Sequence, residues 1–191
     1  MEQKTWNTKR GFTLLEITVV ISIIILFGTI FIANYRGGEK QFALRRSAHK
    51  LAQDLRGGQE MAMAGERFYG VFPQGGYGVY FAKNSSSYIL FADCNNNKTY
   101  DGGMSVCPDC TGQTCFENAY SEKLEEISFE EGIYIKDLAP SLLDSFSVTF
   151  FPPDPTITIN PQANLASISL TFDGVSQKTV TINKVGLIEI E

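Results

Sequence analysis

Between Phe12 and Ala33 the chain carries 22 residues with a single charge, Glu16. As a helix this run would span roughly 33 Å, against about 30 Å for the hydrocarbon core of a bilayer. A carboxylate near the end of such a segment is costly in hydrocarbon and marks a functional position by default. The run is preceded directly by Lys9-Arg10-Gly11.

Two simple readings compete. A secretory signal peptide has a basic start, an apolar core of about 7–15 residues and a small-residue cleavage site. Here the apolar run is longer, and Ile32-Ala33-Asn34-Tyr35-Arg36 offers no Ala-x-Ala site. A plain single-span anchor accounts for the length, and Lys4, Lys9 and Arg10 favour a cytoplasmic N-terminus. It leaves Glu16 without a role.

At Gly11, Phe12 and Glu16 the chain resembles the type IV prepilin family, which includes pilins and type II secretion pseudopilins. The resemblance rests on a short basic leader ending in glycine, then phenylalanine, then an apolar helix with glutamate at the fifth place after the cut. It implies that a prepilin peptidase cleaves between Gly11 and Phe12 and N-methylates Phe12. It also implies that Glu16 serves as counter-charge to the Phe12 amine of a neighbouring subunit in a filament. Many members carry a proline late in the apolar helix; Ala33 stands there, so no kink is expected. The implied setting is the cytoplasmic (inner) membrane, crossed once with the head outside, and a filament in the periplasm or on the cell surface. The implied partners are the peptidase, other pilin or pseudopilin subunits, an inner-membrane assembly platform and membrane lipid.

Charge is unevenly distributed. Residues 36–67 carry seven Lys/Arg and four Asp/Glu, whereas residues 68–191 carry six lysines and fifteen Asp/Glu. The basic stretch suits lipid headgroups or acidic neighbours. The acidic head argues against nucleic acid, which needs a basic footprint, and so against a DNA-uptake pilin.

The expected architecture is α+β: a long N-terminal transmembrane and amphipathic helix packed on an antiparallel, sandwich-like β head. Residues 1–11 are the leader, 12–35 the membrane and filament-core helix, 36–66 its amphipathic continuation and 67–191 the head. Leu44, Ala48, Leu51, Leu55, Gly58 and Ala62 recur at spacings of four and three, which gives one face to the head. Gly37-Gly38 is a soft point, since glycine costs about 1 kcal/mol against alanine in a helix. Gly57-Gly58 reads as close packing or a kink, and Gly65 as the helix end. Strands are expected at Tyr77–Phe81, Tyr88–Ala92, Ile133–Ile135, Phe146–Phe151, Thr156–Ile159, Leu165–Phe172, Thr179–Ile182 and Leu187–Ile190. Among prepilins this arrangement is most similar to the GspH/FimT-like minor pseudopilins. The strand Gly75-Gly76-Tyr77-Gly78-Val79-Tyr80-Phe81 and the closing Asn183-Lys184-Val185-Gly186-Leu187-Ile188-Glu189 carry that likeness.

The segment 92–117 is the least ordinary part of the head. Asp93, Asn95, Asn97, Thr99 and Asp101 alternate, and oxygens so spaced in a tight loop can converge on calcium, which takes six to eight of them. The pattern is similar to the first positions of an EF-hand loop, and some pseudopilins do have a calcium loop. It departs at Lys98, where glycine is expected, and at Met104, where a bidentate glutamate would stand; Glu117 or Glu122 would have to complete the shell. The rival is a plain Asn-rich turn. Cys94, Cys107, Cys110 and Cys115 all lie here. A head outside the membrane favours two disulfides, for which three connectivities exist. A four-cysteine zinc site is the alternative, with Cys107-Pro108-Asp109-Cys110 as one half, although Cys94 and Cys115 do not form a second Cys-x-x-Cys. Free thiols complete the possibilities. No enzyme is expected: His49 is the single histidine, Glu125-Glu126 and Glu130-Glu131 read as a solvated face, and no nucleophile or phosphate-loop motif occurs.

Overall fold

The computed structural model describes residues 11–102, 121–140, 144–152 and 156–191, with all side chains among them except those of 31–37 and 156. One helix, α1, runs Leu14–Ala64 and is followed by β1 (Gly76–Ala82), β2 (Ser87–Asp93), β3 (Lys123–Ser128), β4 (Tyr134–Ala139), β5 (Ser145–Phe151), β6 (Thr156–Asn160), β7 (Leu165–Thr171), β8 (Gln177–Asn183) and β9 (Ile188–Ile190). The chain divides into two units, Met1–Lys40 and Gln41–Glu191, and α1 contributes to both.

The first unit departs from expectation in one respect. Among the described residues no helix is long and apolar enough to cross a membrane. The described apolar side chains of α1 run from Leu14 to Ile30. A transmembrane helix over 12–35 therefore stays a reading of the sequence, whose apolar run continues to Ala33. The backbone is helical through Gly37-Gly38.

In the second unit, β3-β2-β1-β5-β6 form one sheet and β4-β7-β8-β9 another. Every neighbouring pair is antiparallel. The alternating strands behave as their pattern requires: Ala166, Ile168 and Leu170 of β7 and Val180 and Ile182 of β8 are buried, and the residues between them are half-exposed. In β4 a register shift lies between Ile135 and Asp137. The inward position therefore passes from Ile133 and Ile135 to Leu138, and Asp137 stays exposed. β3 is a strand the sequence pattern does not signal. It offers Lys-Leu-Glu-Glu-Ile-Ser, with only Ile127 fully buried, because it is an edge strand whose charges blunt its free side.

Within the second unit the expected stripe of α1 is the buried one. Leu44, Ala48, Leu51, Leu55 and Ala62 join residues of both sheets in one apolar cluster. Gly58 is there for close approach, since a Cβ would lie 3.1 Å from the Phe150 ring. Gly65 has φ +63°, and Glu66 N donates to Met61 O at 3.2 Å and Gly65 N to Ala62 O at 3.2 Å, closing the helix in a left-handed turn. Polar fastenings complete the seam: Tyr88 donates its hydroxyl to Asp54, and Gln59 Nε2 donates to Gly186 O at 3.3 Å.

Two buried tyrosines tie this seam to pH. Tyr77 donates to Glu66 O at 3.0 Å. Burial, and then the Glu66 charge, push its hydroxyl up from 10.0 to about 12. Burial, then the bond to Asp54 and the charges of Asp54 and Glu125, push Tyr88 up further. Both groups hold their protons more tightly folded than unfolded. Their contribution to stability is thus full below pH about 10 and lost as pH rises through the raised values. We expect the melting temperature of the chain to fall between pH 10 and 12, and Tyr77→Phe to flatten that fall. An equal slope in the variant would contradict this assignment.

Candidate functional site

The N-terminal motif is organised by a helix cap. Glu16 N donates to Thr13 Oγ1 at 3.2 Å and Ile17 N to Thr13 O at 3.2 Å, so Thr13 is the N-cap and Glu16 the third residue of the helix. Gly11 and Phe12 lie outside the helix and are exposed, and among the described residues nothing beyond its chain neighbours stands within 4 Å of where a Gly11 Cβ would be. The peptide bond between them therefore lies outside the helix.

From Phe12 to Ile30 the large apolar side chains of the first unit are exposed. An apolar surface on every side of a helix is stable only when lipid or other helices cover it. The hydroxyls in the run satisfy themselves: Thr18 donates to Leu15 O, Ser22 to Thr18 O and Thr29 to Leu26 O, each at 2.8 Å. Such back-bonding is how hydroxyls are accommodated where water is absent. The Glu16 carboxylate differs. Among the described residues it has neither an ion-pair nor a hydrogen-bond partner. A negative charge in the first turn gains about 0.3–1 kcal/mol from the helix dipole, which is small against the cost of burying it unpaired.

The second candidate is the loop after β2. Asp93 is fully buried, and its oxygens accept the N–H of Asn97 at 3.2 Å and of Lys98 at 2.9 Å. Lys98 Nζ lies 3.9 Å from Asp93 Oδ2, donates to Gly75 O at 3.3 Å and sits 5.0 Å from the Phe151 ring centre. Burial pushes the Asp93 carboxyl up, against the pull of the Lys98 N–H, the Lys98 charge and the Asn97 and Asn96 N–H groups. Burial likewise pulls the Lys98 ammonium down, opposed by Asp93. Gly75 is dictated by this arrangement, since its Cβ would fall 1.9 Å from Asp93 Oδ2.

Four of the five residues expected to share a calcium shell are brought together, with their oxygens engaged by N–H groups of the loop. Asp93 serves the backbone of the loop. Asn95 Nδ2 and Asn97 Nδ2 converge on Asp101 Oδ2, each at 2.7 Å. Their amide oxygens accept Asn97 N at 3.1 Å and Thr99 N at 2.9 Å, two successive Asx turns. Glu122 does reach the loop, buried, and accepts Cys94 N at 3.3 Å and Asp101 N at 3.4 Å. Lys98, where an EF-hand has glycine, has the left-handed φ of +65° all the same, and Asn96 has +60°. Among the described residues no group of three or more His, Cys, Asp or Glu is placed to hold a metal ion. A cation would require both amides to rotate and break these bonds. We expect neither chelator nor millimolar calcium to move the melting temperature of the full chain. A calcium-dependent rise of several degrees would show that the amides do rotate.

Cys94 is buried and disulfide-bonded, which removes it from a four-thiolate zinc site. Cys107, Cys110, Cys115, Met104 and Glu117 lie outside the described residues, as does the leader before Gly11. His49 is exposed on α1. One pairing has no local signal in the sequence: Arg46 grips Glu130 with two hydrogen bonds, Nε to Oε1 at 2.7 Å and Nη2 to Oε2 at 2.6 Å, across 84 positions. No family model, no curated protein and no solved structure matches the chain.

Proposed function

We propose that the chain is a type IV pilin-like or pseudopilin structural subunit rather than an enzyme. In this reading prepilin peptidase removes residues 1–11 and methylates the new amine of Phe12. The apolar helix holds the subunit in the cytoplasmic membrane until an assembly platform builds it into a pilus-like or type II secretion pseudopilus filament with other subunits. The observation that carries the proposal is the Glu16 carboxylate, without a partner among the described residues, in the first turn of an exposed apolar helix and fifth after the Gly11–Phe12 bond. A bare amine and a bare carboxylate are each expensive in hydrocarbon, and pairing them between subunits offsets that expense. Only one axial stagger brings the two together, so the pair also sets register.

The α+β head supports the finer assignment to the GspH/FimT-like group, with Gly76–Phe81 on β1 and Ile188–Ile190 closing the second sheet. The two Asx turns and the engaged oxygens of the Asp93–Asp101 loop favour a stapled structural turn over a calcium site. Expression with and without prepilin peptidase tests the proposal, read as the mass difference of residues 1–11 plus one methyl group.

A further inference from the structure

Two surfaces of the second unit carry opposite, unneutralised charge. On the outer face of α1, Phe42, Arg45, His49 and Lys50 are exposed. Arg45 and Lys50 make no ion pair among the described residues. Beside them lies a cleft of about 200 Å³, lined by Arg46, Ser47, Lys50, Ser128, Phe129 and Glu130. The Glu130 fork fixes Arg46, so Lys50 is the cation at the cleft left for an outside partner. The opposite charge sits on Glu125 of the edge strand β3 and on Glu131 after it. Both are exposed, and neither forms an ion pair among the described residues.

We propose that this face binds a second copy of the chain, with Glu125 and Glu131 of one copy seated against Arg45 and Lys50 of the next and a carboxylate entering the cleft beside Phe129. The proposal rests on the reading of the chain as a filament subunit and names a contact between its heads. Charge complementarity selects the occupant. Residues 68–191 hold fifteen acidic against six basic residues, so heads repel one another except where the basic helix face meets an acidic edge. A lipid or nucleic-acid phosphate surface fits poorly, because Glu130 holds Arg46 and lines the same cleft as Lys50. Such exposed pairs add little affinity and act mainly by fixing register and excluding wrong alignments.

The test uses the full chain in membranes with its assembly machinery and a photo-crosslinking residue, His49→p-benzoylphenylalanine. A covalent dimer of the chain is expected. Arg45→Glu with Lys50→Glu should lower its yield about fivefold, and raised salt should weaken it. Adding a chain with Glu125→Lys and Glu131→Lys should restore the yield. A lipid adduct, an adduct to another protein, or a charge swap without recovery overturns the proposal. N-terminal sequencing of the same sample separates the two readings. Mature, sedimenting filaments without the dimer sink the head contact alone, whereas chains that never mature sink the subunit reading and the contact with it.

Discussion

Replacing Glu16 by alanine should cut incorporation into filaments by several hundredfold or more, on the scale of the roughly 3–5 kcal/mol lost when one partner of a buried charge pair is removed, and leave membrane association unchanged. In the proposed reading, cleavage creates an amine at Phe12, and assembly carries it into an apolar surround where the Glu16 carboxylate, which has no partner among the described residues, is its match. The variant leaves that amine unpaired in every subunit. A second role for Glu16 must be separated from this one, because Glu16 N is also the donor to the Thr13 cap. That bond uses the backbone N–H and survives replacement by alanine or glutamine. What the side chain adds to the helix end is of order 0.3–1 kcal/mol. Glu16→Gln decides between the roles: it keeps shape and hydrogen bonding and removes only the charge. It should fail as alanine does, and wild-type assembly by Glu16→Gln would reduce Glu16 to a residue that steadies a helix terminus.

The largest effect on the head is expected at Gly76. Its φ is +82°, and an added Cβ would lie 2.1 Å from Phe150 O, a carbonyl of the neighbouring strand β5. A side chain can swing away from such a contact, but here the obstacle is backbone held in the β1–β5 ladder, where Tyr77 pairs with Phe150. Overpacking of about 1–3 kcal/mol and a left-handed strain of similar size add at one position, so Gly76→Ala should cost about 3–5 kcal/mol. Set against a typical domain stability of about 5–15 kcal/mol, that is a fifth or more. Gly57→Ala is the control. It has no atom within 4 Å of its Cβ position and should stabilise α1 by about 1 kcal/mol. Denaturant unfolding of both variants checks the pair, and equal midpoints would contradict the packing described at Gly76.

Much of the scaffold is legible in the sequence because it depends on short-range periodicity. The stripe Leu44–Ala62 repeats at the helical period, and every member is buried. The strands β7 and β8 alternate cleanly. β3 escapes because an edge strand buries little and its charges imitate a solvated loop. The loop after β2 shows a different limit. Alternating Asp and Asn announce that oxygens will converge, but not whether they meet a cation or one another's N–H groups; that depends on amide orientation and on the buried Glu122, 21 positions beyond Asp101. Gly75 is similar. Its glycine reads as a turn, whereas the reason for it is a carboxylate from the next strand. Arg46 and Glu130 cannot be paired from sequence at all, since only the fold brings a helix face to the end of β3.

The N-terminus of the chain recovered from cells with and without prepilin peptidase tests the central claim most directly. Sequencing should begin at N-methylated Phe12 where the peptidase is present and upstream of Gly11 where it is absent. A chain that keeps residues 1–11 in both, or that is cut elsewhere, would contradict the account.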